Sequence, residues 1–260
     1  MVASETVFHE IAGKKIQLTR GGSGPSLLYL HSAGGETEWI PFVDALAERY
    51  TVYLPAHPGF ALSGGLDRIQ DMADLAWHYV DLMQALELDN VPIVGFSLGA
   101  WLATELAILR PQLAERLVLI AAAGLYVQGA PMAEMFIDDL EQLKQLLFRD
   151  PHHATVEQAL PTSLDDTRML MWLRAREATA RVGWNPYLHN PKLPQHLRRI
   201  ECPCLVVWGR QDHFIPLAHG ESYAAHIPQA ELAVLEDCGH MVPFEQQAKC
   251  AALALKFLGK

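Results

Sequence analysis

The sequence predicts an α/β fold: a mostly parallel, doubly wound sheet with helices on both faces and a helical insert after the sixth core strand. Three observations predict it. Short, nearly continuous apolar runs recur along the chain, as strands buried on both faces require. Amphipathic stretches with a period near that of a helix lie between them, and this alternation defines the class. One long stretch, 125–193, carries helical patterns and no convincing strand, so the alternation is interrupted once. With 260 residues, 50% of them hydrophobic and 19% charged, the chain can build one large domain and bury a sizeable core.

The elements follow in order. Residues 26–31 (SLLYLH) and 51–56 (TVYLPA) read as strands, as do 91–96 (VPIVGF), 117–123 (LVLIAAA), 204–208 (CLVVW) and 231–235 (ELAVL). Met72, Leu75, Ala76, Tyr79, Leu82, Met83 and Leu86 recur at helical spacing behind Asp71, a natural N-cap. A second helix, 98–109, starts directly after a strand and stops before Pro111, because a proline pushes the preceding residue out of the helical region. A closing helix spans 245–258. The helical patterns of 125–193 are broken at Pro151, Pro161 and Asn185–Pro186. The expected organisation is a core of 1–124 and 194–260 with an insert of 125–193. No internal repeat is visible, which sets solenoids and propellers aside.

Composition also bounds function. A net charge of −10 works against binding a nucleic-acid backbone or an anionic membrane. The opening MVASETVFHE has neither the basic stretch nor the apolar run of a secretory signal, and 117–123 is too short to span a bilayer. Cys202, Cys204, Cys238 and Cys250 have neither zinc-site nor redox-motif spacing and read as reduced thiols of a cytoplasmic protein.

The chemistry is concentrated at Gly95-Phe96-Ser97-Leu98-Gly99, between the strand VPIVGF and a helix. A nucleophilic serine must project from a sharp strand-to-helix turn, and flanking glycines leave room for that backbone. The helix N-terminus directs N–H groups and positive dipole at an oxyanion formed on the attacked carbonyl. Such a serine needs a base, and the base needs an orienting acid. Asp212 follows the strand CLVVW through Gly209-Arg210-Gln211, and His240 follows ELAVL within Cys238-Gly239-His240-Met241. The order Ser97, Asp212, His240, each beyond the C-terminal end of a strand, is the order for hydrolases of this sheet type. Asp237 is the runner-up acid, too close to His240 along the chain to orient it readily. His213, next to Asp212, reads as a loop residue.

On these residues the chain resembles the α/β-hydrolases over nearly its whole length. The resemblance includes GFSLG, the acid loop GRQDHFIP, the histidine loop CGHMVPFE, and His31-Ser32-Ala33-Gly34-Gly35, which matches the family's oxyanion loop. It implies an α/β-hydrolase fold whose oxyanion hole uses the backbone N–H groups of Ala33 and Leu98. The nearest shape is the group of capped serine esterases, carbon–carbon bond (meta-cleavage-product) hydrolases and cofactor-free perhydrolases, with 125–193 as the helical cap. Three positions depart from the pattern. Ser32 stands where the family often has Gly. Ala56-His57-Pro58-Gly59-Phe60-Ala61-Leu62-Ser63 lacks the leading Asp and second Gly of the familiar loop. Met241 stands where many carbon–carbon bond hydrolases carry Trp. Dehalogenases and epoxide hydrolases of this fold use an Asp nucleophile, and position 97 is Ser.

Substrate selectivity is expected in the insert and the loops above the strand ends. Met132, Met135, Phe136, Met169, Met171, Trp172, Trp184 and Tyr187 together favour an apolar group over a sugar or phosphate. Ser32, Phe96, Trp172, Trp184 and Met241 are the candidate substrate contacts. Arg168, Arg174, Arg176 and Arg181 read mainly as a solvated helix face, with one of them a candidate partner for a substrate carboxylate, as in carbon–carbon bond hydrolases. The expected activity is hydrolysis of a carboxylic ester of a small, largely apolar molecule through Ser97, His240 and Asp212, with no metal and no organic cofactor. The alternatives are carbon–carbon bond hydrolysis of a vinylogous diketo acid and a hydrolase-like ligand receptor. A small molecule is the expected partner, and monomer and homodimer stay open.

Overall fold

A computed structural model describes residues 2–163 and 165–259 of the chain. Positions 1 and 260, the outer limits of the expected core, and position 164 of the expected insert lie outside the described residues. One sheet holds eight strands: β1 (Ser4–Ile11), β2 (Lys14–Gly21), β3 (Ser26–Leu30), β4 (Thr51–Pro55), β5 (Val91–Phe96), β6 (Ala114–Ile120), β7 (Cys204–Gly209) and β8 (Ala230–Leu235). Their spatial order is β1-β2-β4-β3-β5-β6-β7-β8, antiparallel from β1 to β4 and parallel from there to β8.

The near-continuous apolar runs follow from burial on both faces, because alternate residues serve opposite cores. Leu28, Leu30, Ile93, Leu117 and Val206 pack on one side with α2 (Met72–Ala85), α3 (Leu98–Leu109) and Tyr223 of α8 (Leu217–His226). Leu27, Tyr29, Val94, Phe96 and Val207 pack on the other with α1 (Pro41–Ala47) and α10 (Gln247–Leu258). Asp71 caps α2 as expected, its carboxylate accepting from Asp74 N–H at 2.9 Å.

Four differences from the sequence reading are structural findings. The β1–β2 hairpin has no buried run to announce it: β1 is mostly exposed, and the turn at Ala12 and Gly13 uses two positive φ angles. These two strands make β6 the sixth. β6 starts earlier than expected and stops at Ile120, where Ala121 turns to a φ of +45°. The closing helix is broken at Gln246, giving α9 (Val242–Glu245) before α10. Neither α1 nor α8 stood out in the sequence.

Between β6 and β7 lie α4 (Leu140–Leu147), α5 (Val156–Ala159), α6 (Met169–Gly183) and α7 (Leu193–His196). From this stretch Leu143, Leu147, Leu160, Trp172 and Arg176 line one chamber with Ser97, which follows β5.

Candidate active site

Ser97 stands at the junction of β5 and α3 with φ +53° and ψ −109°, a backbone that residues other than glycine seldom adopt. The surrounding packing enforces it. A Cβ at Gly95 would lie 2.5 Å from the Gly99 carbonyl oxygen, and one at Gly99 would collide with the Leu30 carbonyl. The Ser97 N–H donates to Ile120 O at 2.8 Å, while Ser97 O accepts from Ala100 and Trp101 at 3.1 Å each and from Ala123 at 3.2 Å. Leu98 follows as the first residue of α3, so its N–H has no acceptor within the helix.

His240 and Asp212 meet Ser97 in one line. His240 Nε2 lies 3.0 Å from Ser97 Oγ, and its Nδ1 lies 2.8 Å from Asp212 Oδ2. Asp212 Oδ1 accepts the N–H groups of Phe214 (2.9 Å) and Ile215 (2.7 Å), so both carboxylate oxygens are held in place. All three residues are buried. Phe96 packs against the imidazole from below and Phe214 meets it edge-on, with ring centroids 5.5 and 4.9 Å away. The insert also holds this loop: Leu147 O accepts from His240 N–H at 2.8 Å and from Met241 N–H at 3.1 Å. Asp237 is turned away and pairs with Arg149 at 3.1 Å on the surface, and His213 is exposed.

The line ends in a chamber of about 40 Å³, with Ala33, Ser97, Trp172, Phe214, His240 and Met241 among its walls. A wider groove of about 520 Å³ adjoins it, and Gly34, Glu36, Leu160 and Trp172 form walls of both. Of the candidate substrate contacts, Ser32, Trp172 and Met241 line the chamber. Two do not. Phe96 is buried beneath His240, and Trp184 is 63% exposed and stacks on Phe136 at 5.3 Å. Met135 also lines the chamber, Met171 lines the groove, and Tyr187 ties residues 133 and 135 together through its hydroxyl.

The insert arginines have separate fates. Arg176 lines the chamber but donates to Met135 O (2.7 Å) and Ile137 O (3.1 Å) and lies over Trp172, 4.5 Å from the ring centre. Arg168 pairs with Asp166 at 2.8 Å, and this guanidinium holds the Asp166 carboxyl below the usual carboxylate range. Arg181 is exposed and Arg174 half-buried.

Two features escaped sequence reasoning. Glu36 is a buried carboxyl between chamber and groove, and its only warning was an acidic residue four positions beyond Ser32. The second is a stack of neutral rings beneath residues 32–35. The His31 ring donates from Nδ1 to Ser32 O (2.8 Å) and accepts His57 N–H at Nε2 (3.0 Å). The His57 ring then donates from Nε2 to His31 O (3.0 Å) and accepts the Tyr79 hydroxyl at Nδ1 (2.5 Å). Burial pushes His31 down to about 4 and His57 well below its ordinary value.

With this geometry in place, comparison with known proteins is direct. A family model for the alpha/beta hydrolase fold matches residues 25–247. The chain belongs to that family. Among relatives of this hydrolase, a 2-hydroxy-6-oxo-6-phenylhexa-2,4-dienoate hydrolase of Burkholderia cepacia is 30% identical, over 94% of this chain and 91% of that protein. A pimeloyl-[acyl-carrier protein] methyl ester esterase of Nitrosomonas europaea is 28% identical, over 90% of this chain and 97% of the other. A solved serine hydrolase involved in carbazole degradation superposes with a TM-score of 0.82, at 23% identity and 99% coverage of both chains. Relatives of this hydrolase thus include a dienoate hydrolase and a methyl ester esterase. Among the described residues, no helix is long and apolar enough to cross a membrane.

Proposed function

We propose that this hydrolase cleaves a carboxylic ester through a covalent acyl-enzyme on Ser97. The observation that carries the reading is the unbroken line from Ser97 Oγ through His240 to Asp212, ending in a chamber. His240 Nε2 takes the Ser97 proton as Oγ attacks the acyl carbon. Asp212 keeps its charge, holds Nδ1–H and stabilises the imidazolium that forms. The oxyanion is received by the N–H groups of Ala33 and Leu98, where fixed dipoles act without reorganisation. The imidazolium then protonates the leaving alcohol, and water repeats the sequence to release the acid. Residues 125–193 act as a cap over the core formed by the rest of the chain, excluding bulk water and shaping the acyl and alcohol pockets.

Carbon–carbon bond hydrolysis is the second reading, favoured by the dienoate hydrolase among the relatives. Against it stand two features of the chamber. Arg176 is the guanidinium in its wall, and one N–H of each of its two Nη groups is already given to Met135 O and Ile137 O. Met241 takes the place after the base. The test is a panel of p-nitrophenyl esters and 2-hydroxy-6-oxo-dienoates, assayed on the wild type and on Ser97→Ala. Repeated turnover of esters by the wild type, abolished in Ser97→Ala, is expected. Faster turnover of a dienoate would move the assignment to carbon–carbon cleavage. Acylation of Ser97 that stops after one equivalent would favour a ligand receptor.

A further inference from the structure

Glu36 is a buried carboxyl that the mechanism above leaves without a role. Besides its own N–H, one neighbouring residue takes up its oxygens. Ser32 Oγ lies 2.8 Å from Oε1 and 2.6 Å from Oε2, and Ser32 N–H donates to Oε2 at 3.3 Å. A hydroxyl has one proton to give and two lone pairs, and Ser32 Oγ also accepts Gly34 N–H at 3.0 Å. Ser32 O accepts from Gly35 N–H at 3.1 Å and from the His31 ring at 2.8 Å. Every one of these bonds falls on the residues flanking Ala33. Among the described residues no basic side chain forms an ion pair with Glu36, so its contacts serve the loop. Burial raises the Glu36 pKa, and the Ser32 hydroxyl, the N–H groups of Glu36 and Ser32, and the nearby His240 draw it back.

We propose that Glu36 is a positioning residue that acts through Ser32: its carboxyl fixes the Ser32 hydroxyl, the hydroxyl fixes Gly34, and the turn so held aims the Ala33 N–H at the developing oxyanion. The inference rests on the reading of Ser97 and Ala33 proposed above. A network of this kind favours the transition state over the ground state, since a bound ester makes its strongest demand on that N–H only as charge develops. A purely structural role would raise the melting temperature and leave each folded molecule equally active.

The experiment is a double-mutant cycle on Ser32→Ala and Glu36→Ala, with Glu36→Gln as the conservative control. Three quantities are measured for each: kcat and KM on p-nitrophenyl acetate, the dissociation constant of a phenylboronic acid that adds to serine as a tetrahedral anion, and the melting temperature. Glu36→Ala should lower kcat by about ten- to a hundredfold, short of the roughly 10²–10³ lost with a whole donor. It should weaken the boronate by a similar factor and leave KM within about threefold. Glu36→Gln should recover most of the loss, because its amide oxygen still accepts from the hydroxyl. The double variant should be no worse than the worse single one, since both act on one donor. If Glu36→Ala does not fold, Ser32→Ala carries the same expectation. Boronate affinity and kcat within threefold of wild type in these variants would overturn the proposal, and so would losses that multiply in the double variant. A wild type that neither turns over the ester nor binds the boronate overturns the reading of Ser97, and this inference with it. Boronate binding that is indifferent to Glu36 overturns the inference alone.

Discussion

At position 212 one carboxylate answers two sets of donors at once. Oδ1 takes the Phe214 and Ile215 N–H groups, and Oδ2 takes the imidazole. An amide has one oxygen and must turn its NH₂ to one set or the other. In Asp212→Asn the loop N–H groups should keep the oxygen, leaving the NH₂ against Nδ1 and forcing the other tautomer. Turnover should then fall by about 10⁴, as in the template triad, with little change in the melting temperature. Activity within threefold of wild type would mean that another group orients His240. These residues were legible because each follows an identifiable strand, in the chain order this fold uses. Glu36 was not, because its role is a side-chain contact inside a five-residue loop, and the same letters fit an exposed turn. Trp184 misled for a geometric reason. It lies twelve residues beyond Trp172, roughly 120° around a helix of 100° per residue, so one ring reaches the chamber and the other solvent.

That difference is an element-scale property of α6, and kinetics can read it. Trp172 is shared by chamber and groove, so Trp172→Ala should shift the ratio of kcat/KM for butyrate and acetate esters by about tenfold, within the range one methylene can command. Trp184→Ala should leave that ratio within twofold. Equal ratios in both variants would remove α6 from the specificity argument. Helices and strands were legible where burial imposes a period: α2, α3 and the strands from β3 to β8 each read out from their apolar residues. Strand β1 was not, because pairing to one neighbour at an exposed edge asks little of the side chains, and β2, paired on both sides, alternates Ile16 and Leu18 with polar residues instead of forming an apolar run. Helix α9 was merged with α10 because the apolar pattern continues through Gln246, while the backbone there turns to φ −125°.

Over the whole molecule, burial of histidines ties stability to pH. Burial, and secondly the charge of Lys14, push His78 down to about 3, and neither of its ring nitrogens has a hydrogen-bond partner among the described residues. Burial takes His31 to about 4. A histidine whose folded pKa lies below its unfolded value near 6.5 contributes fully above that pH, and its contribution is lost as pH falls toward the folded value, because the unfolded chain binds protons first. Glu36 and Glu245, raised by burial, act in the opposite sense from the ordinary carboxyl range upward, so a single-histidine variant isolates the term. His78→Leu should raise stability by about 1–3 kcal/mol at pH 7.5, by removing unpaired buried nitrogens. Its margin over wild type should widen by roughly 1.4 kcal/mol per unit below pH 6.5. Denaturant titrations at pH 7.5 and 5.5 measure this, and a margin that does not change would count against it. The hydrogen bonds from the His240 and Met241 N–H groups to Leu147 O carry a further meaning. Leu147 ends α4 and walls the chamber, so the same backbone carbonyl sets both the room for a guest and the aim of the base. An outward shift of α4 that widened the 40 Å³ space would stretch both hydrogen bonds to the histidine loop. On the proposed mechanism, the room for a guest and the aim of His240 are thus coupled through one carbonyl.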